Sequence, residues 1–179
     1  MRPRHQTEYE RLLERTREAL GAGDDDQLGD ANVAVNHALT LRPDSVDGWL
    51  LKCQVSSAAG DDIAALAAAE MALSREPARA ECLYWHGAVL GDLGQHREAL
   101  RAIETAFRVL ADDEHWLLED LYYEKVSVLE ALGLHEAAVA TCEEGLQACP
   151  GSALLRAALA PAERARVRSS LRVLRGGQG

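Results

Sequence analysis

Residues 65–106 read ALAAAEMALSREPARAECLYWHGAVLGDLGQHREALRAIETA, and the small residues in this stretch recur at a single interval. Ala65 and Ala99 stand 34 residues apart, as do Ala72 and Ala106. Outward from it, Ala31 and Ala38 extend the two alanine series toward the N-terminus, and the pairs Pro43 and Pro77, Gly60 and Gly94 keep the same step of 34. Small residues where helices must approach closely, a glycine between them and a proline ending each unit are the pattern of stacked helix–turn–helix repeats.

Composition agrees. Of 179 residues, 47% are hydrophobic and only 4% aromatic, so any core is built mainly from Ala, Leu and Val. Ala and Leu head the helix propensity scale, whereas the aromatic strand formers are scarce. The fold class expected is all-α. A formal charge of −10 argues against nucleic acid or an anionic membrane as a general partner, because phosphate binding needs clustered Lys and Arg. No apolar run reaches the roughly 18 to 20 residues that span a bilayer, and the basic N-terminus has no apolar segment behind it, so a cytoplasmic location is expected. Cys53, Cys82, Cys142 and Cys149 lack C-x-x-C spacing and read as reduced thiols, most of them in the core.

Taken in order, the chain opens with a flexible tail, 1–6, followed by a repeat array over 7–151 in units of about 7–43, 44–77, 78–111 and 112–151. Unit one pairs a helix over 7–20 with another over 28–41, joined by a long turn at Gly21–Asp26. In unit two, Asp44 or Ser45 caps a first helix, Gly60-Asp61-Asp62 turns the chain, and an alanine-rich helix follows from Ile63 to Arg75. Gly87 sits inside the first helix of unit three although glycine there costs about 1 kcal/mol relative to Ala; a closely packed neighbour would explain it. Gly133, Ala138 and Pro150 follow Gly94, Ala99 and Ala111 by 39 residues, so five have been added before unit four. In the added segment Asp112–Leu118, Asp113 would cap a long helix reaching Leu132, with Trp116 on a projection. Over 152–175 two capping helices separated at Pro161 are expected, and 176–179 form a disordered tail.

The sequence resembles the tetratricopeptide repeat family. Unit two supplies Trp49, Cys53, Gly60, Ala65, Ala69, Ala72 and Pro77; unit three Leu83, Gly87, Gly94, Ala99, Ile103, Ala106 and Ala111; unit four Tyr122, Val126, Gly133, Ala138, Cys142, Gly145 and Pro150. Ala111 and Gly145 depart from the usual proline and alanine. The resemblance implies a right-handed α-solenoid of about four helix–turn–helix units with a C-terminal capping helix, whose first helices line a concave groove for a peptide or helix of another protein. The groove positions so implied are Asp47, Leu50, Gln54 and Ser57; Glu81, Tyr84 and Ala88; and Asp120, Tyr123, Ser127 and Glu130. Tyrosine buries a ring while presenting a hydroxyl, which suits recognition, and the carboxylates favour a partner with apolar and basic residues. The Lys, Asn and Arg with which one subtype grips chaperone C-termini are missing from these positions, so no chaperone-tail binding is expected.

Other constellations stand beside the groove. Lys52, His86 and Lys125 precede the small residue of successive first helices and could stack as a cationic column, or lay their stems on apolar surface with their polar ends in water. His96 and His135 follow the turn glycines and read as packing residues, and no His or Cys spacing suits a metal. There is no phosphate-binding glycine loop and no nucleophile elbow, so neither enzyme activity nor a cofactor is expected. From Ser152 onward the charge is +5 against −15 before it. Arg164, Arg168 and Arg172 at i, i+4 and i+8 form either the polar outer face of a cap or a contact for an anionic partner. The expected function is a non-enzymatic interaction scaffold, with self-association through exposed ends or Trp116 as the alternative.

Overall fold

Every alanine of the two 34-residue series is fully enclosed: Ala31, Ala38, Ala65, Ala72, Ala99 and Ala106 are each 0% exposed. The computed structural model describes residues 4–22, 25–111 and 114–176. Most of those residues are helical: α1 (Arg4–Ala22), α2 (Asp25–Leu41), α3 (Val46–Ala58), α4 (Asp62–Leu73), α5 (Ala80–Asp92), α6 (His96–Val109), α7 (Leu118–Ala131), α8 (His135–Ala148) and α9 (Ala153–Gly176), with no strand among them. Helices α1/α2, α3/α4, α5/α6 and α7/α8 pack as successive hairpins, each also resting on the next, and α9 closes the stack against α8 and α7. The fold is an α-solenoid.

Identical turns join three of the hairpins. Gly60, Gly94 and Gly133 have φ of 72°, 74° and 73°, the left-handed region that only glycine enters without strain. Around them the N–H groups of Asp61, Gln95 and Leu134 donate to the carbonyls of Ser56, Leu90 and Leu129 at 2.8–2.9 Å. The glycine N–H groups donate to Ser57, Gly91 and Glu130. This double bond ends each first helix and satisfies its last carbonyls. Ser45 caps α3 by accepting from the Gly48 N–H, and Asp61 caps α4 by accepting from the Ala64 N–H.

Gly87 has the packing reason its helical position demanded. A Cβ there would lie 2.8 Å from Ile103 Cγ1 and 3.3 Å from the Ala99 carbonyl oxygen, so α5 and α6 meet closer than any side chain allows. In unit four the relation is reversed: Gly145 on α8 makes room for Tyr122 on α7, whose Cγ would lie 2.9 Å from an added Cβ.

Several expectations are corrected. The N-terminal segment is not a tail from 1 to 6, because α1 begins at Arg4; residues 1–3 lie outside the described residues. The first turn is shorter than Gly21–Asp26, with α1 running through Ala22 and α2 starting at Asp25. The residues added before unit four do not lengthen α7, and Asp113 lies outside the described residues. Instead His115–Leu117 form one 3-10 turn. Leu117, 1% exposed, packs under Leu83 and Leu121, and inserting it diverts the chain from a straight helix, leaving Trp116 60% exposed. Pro161 does not divide the C-terminal segment either, since α9 is continuous through it to Gly176. Proline removes one donor from the Ala157 carbonyl, and because Ala157 and Pro161 are both exposed, that carbonyl is open to water. Residues 177–179 lie outside the described residues.

Glycine substitutions of opposite sign test this packing. Gly87→Ala overfills the α5/α6 contact by about 1–3 kcal/mol, more than the roughly 1 kcal/mol of helix propensity it gains, and lowers Tm by a few degrees, roughly 2–4 °C per kcal/mol at this length. Gly29→Ala, in α2 with nothing within 4 Å of the added methyl, raises Tm by a similar amount; thermal melts followed by circular dichroism read both.

Candidate partner-binding surface

First helices touch their like in succession, α1 to α3, α3 to α5, α5 to α7 and α7 to α9, whereas the even-numbered helices make no comparable contact. A row of units spaced closely on one side and widely on the other must curve, so the odd-numbered helices line the concave face.

Three acidic positions recur on it, Asp47, Glu81 and Asp120, at equivalent places in α3, α5 and α7. Arg79 spans the first two, with Nη1 2.9 Å from Asp47 Oδ1 and Nη2 on Glu81 Oε2. The residue 39 positions after Arg79 is Leu118, so no arginine links Glu81 to Asp120. Among the described residues no cation pairs with Asp120, with Asp92 at the end of α5, or with Glu124 on α7.

Glu124 is the least expected member. The positions 39 and 73 residues before it are Trp85 and Leu51, which pack in the core. A carboxylate therefore occupies a site built for a large apolar side chain, and its Oε1 would lie 3.2 Å from a Cβ on Gly91. Burial, then the charge of Asp92, pushes Glu124 up to about 7. Burial also raises Asp92, helped by Asp62, and Asp120, helped by Glu119. Tyr84 lies among them, its hydroxyl pushed up by burial and then by Asp120, Glu124 and Asp92. Its ring meets Trp85 edge-on at 5.2 Å. The result is an electronegative recess between α5 and α7 with an aromatic wall. Sequence reading passed over Glu124 and Asp92, although aligning Glu124 with Trp85 and Leu51 would have exposed the first.

Of the other groove positions, Leu50 is corrected: it is 2% exposed and packs with Ala72 and Cys82, out of a partner's reach. Gln54, Ser57 and Ala88 are half-buried. Tyr123, 36% exposed, and Ser127 border a shallow apolar depression completed by Leu154, Ala158 and Pro161 of α9. Glu130 accepts from His135 Nδ1 at 3.0 Å. The matching His96 Nδ1 has no partner, because Gly91 stands where Glu130 would be.

Each member of the cationic series turns toward the second helix of the preceding unit. Lys52 Nζ donates to Asn32 Oδ1 on α2, Glu70 on α4 is the carboxylate acting on His86, and Lys125 lies 5.7 Å over the Phe107 ring on α6. Burial lowers both Lys52 and His86. Arg164 and Arg168 are exposed on α9, while the Arg172 side chain lies outside the described residues. Cys53, Cys82 and Cys142 are buried free thiols, the first two pushed up to about 12 by burial. Among the described residues no group of His, Cys, Asp and Glu is arranged to hold a metal ion, and no helix is long and apolar enough to cross a membrane.

The tetratricopeptide repeat model matches residues 119–152, which span α7 and α8. No curated protein sequence matches the chain. Among solved structures, the chain is similar to Pseudomonas aeruginosa pilF, with a TM-score of 0.77 at 18% identity over 98% of this chain and 78% of that one. It is also similar to a thermophilic tetratricopeptide repeat protein of Thermus thermophilus, with a TM-score of 0.74 at 19% identity over 86% of this chain and 80% of that one. At such identities the likeness is one of fold, and it agrees with the 34-residue period, the three glycine turns and the matched unit. Residues 119–152 are thus a tetratricopeptide repeat, set in a chain whose α-solenoid fold is like that of these solved structures.

Proposed function

We propose that this protein is a non-enzymatic interaction scaffold whose concave face, from the recess at Asp92, Asp120 and Glu124 to the depression beside Tyr123, holds a peptide or helix of another protein. Tetratricopeptide repeat proteins are in general protein-interaction adaptors. The observation that carries the reading is the set of three carboxylates beside Tyr84, Asp120 and Glu124 half-buried and Asp92 exposed, with no cation paired to them among the described residues. A carboxylate out of water and without a counter-charge is held at a cost, and an incoming Lys or Arg relieves it. Leu154, Pro161 and the Tyr123 ring, on the side toward α9, offer apolar contact for the rest of the ligand. The fitting partner therefore presents basic and apolar side chains on one face.

Titration of a fluorescein-labelled amphipathic peptide carrying Arg and Leu four residues apart tests this by anisotropy. Affinity falls about tenfold or more for Asp120→Asn/Glu124→Gln and falls again for Tyr123→Ala. It rises between pH 6 and pH 8 as Glu124 ionises, and drops with added salt. Equal binding of an acidic peptide by the parent protein would contradict the reading.

The free protein carries a related signature. The Glu124 carboxyl goes from an ordinary value of 4.5 when unfolded to about 7 when folded. The native state therefore binds more protons across that window, and stability is lost as pH rises through it. Glu124→Gln cannot ionise. It is more stable than the parent at pH 8, by roughly 1–3 kcal/mol, with the difference vanishing near pH 4.5; urea unfolding at the two pH values measures it.

A further inference from the structure

We infer that the concave face receives the C-terminal helix α9 of a second copy of this chain, which rests on the reading above that this face is the binding surface. Helix α9 is fixed to the stack along one side, through Leu155 and Ala162, 0% and 1% exposed, with Ala158 and Leu159 beside them. At 100° per residue the opposite side gathers Arg164, Val167, Arg168 and Leu171 into one stripe, and all of them are exposed, Val167 at 53% and Leu171 at 50%. Among the described residues neither Arg164 nor Arg168 pairs with a carboxylate, Arg166 alone of this helix reaching Glu136 at 3.7 Å. From Val167 to Leu171 every residue is exposed, with Ser169 and Ser170 bordering an open cleft beside the start of α8 at His135 and Glu136 and the other side of the helix facing away from it. The helix continues to Gly176, so the segment from Val167 onward is a rod about 15 Å long.

That stripe is the chemical complement of the recess. It offers arginines four residues apart, interleaved with two aliphatic side chains, to a surface with carboxylates lacking a cation, a tyrosine and an apolar depression. Its length spans neighbouring first helices, whose axes pack about 8–10 Å apart. The opposition extends through the chain, with +5 from Ser152 onward and −15 before it. The contact cannot form within one molecule. Leu155 near the start of α9 meets Tyr122 at Gly145, and Ser169 and Ser170 lie beside Gly133, so α9 runs in the same direction as α7 and Arg164 and Leu171 lie toward the far end of α7 from Asp120. A contact between unlike surfaces of identical chains is head-to-tail, and it builds short chains or rings of copies.

Sedimentation velocity on the full chain, across a concentration series at low and high salt, tests the inference. The parent protein gives a sedimentation coefficient that rises with concentration and falls back to the monomer value in high salt. Arg164→Gln/Arg168→Gln and Asp120→Asn/Glu124→Gln each weaken self-association by about tenfold or more. Mixing the two variants restores it, because one retains the recess and the other the helix. A parent protein that stays monomeric throughout, or a mixture that associates no better than its components, overturns the inference. So does binding of the parent to phosphatidylserine vesicles that is lost on Arg164→Gln/Arg168→Gln while the protein in solution remains monomeric, since α9 would then be a lipid contact. In any of these cases, continued binding of the labelled peptide with its dependence on Tyr123 leaves the scaffold reading standing and separates the two failures.

Discussion

The solenoid depends on how closely its paired helices approach. Where Gly87 faces Ile103 and the Ala99 carbonyl, no Cβ fits, and wherever the alanine series meets a neighbouring helix the side chain is fully enclosed. Contacts this short stack the hairpins face to face with little bulky side chain between them, which is how a chain with 4% aromatic residues builds a continuous core. Curvature follows, because the first helices touch one another along the row and the second helices do not. The concave face is thus a consequence of packing.

Repetition also makes the functional surface legible by exception. Across α3, α5 and α7 equivalent positions receive equivalent surroundings, so a residue that departs from its counterparts is conspicuous once the units are aligned. Arg79 joins Asp47 to Glu81, while Leu118 in its place one unit later supplies no cation to Asp120. Glu124 sits where Leu51 and Trp85 fill core space. Both departures occur at the α5/α7 junction, where they concentrate negative charge instead of spreading it along the solenoid. The same comparison accounts for the unpartnered His96, whose counterpart His135 finds Glu130 where His96 finds Gly91.

The C-terminal helix shows how tertiary context overrides a local signal. Pro161 is a strong breaker, yet α9 passes through it because the carbonyl it deprives lies on an exposed side and because both flanks are anchored to α7 and α8, Leu155 before it at Gly145 and Tyr122 and Ala162 after it among Val126, Leu129 and Ala138. The five residues added before α7 behave in the opposite way. Length alone suggested a longer helix, but Leu117 has a core to enter, and a 3-10 turn places it there.

The sequence by itself determined the class and order of the elements, the buried alanines and the three glycine turns, since these are fixed by helical spacing and by a positive φ that only glycine adopts freely. Tyr84, Asp120 and Tyr123 could be placed from the sequence on the first helices of their units, because the register of the repeat fixes which helix carries them. Only the tertiary structure decided that Leu50 is core, that Lys52, His86 and Lys125 turn to the preceding unit, and that Glu124 and Asp92 gather around Tyr84. Helical spacing assigns a residue to a face of its own helix. What that face meets, and how far a carboxylate there is withdrawn from water, depends on the angle and distance of the neighbouring helix, which arise only when the units are stacked.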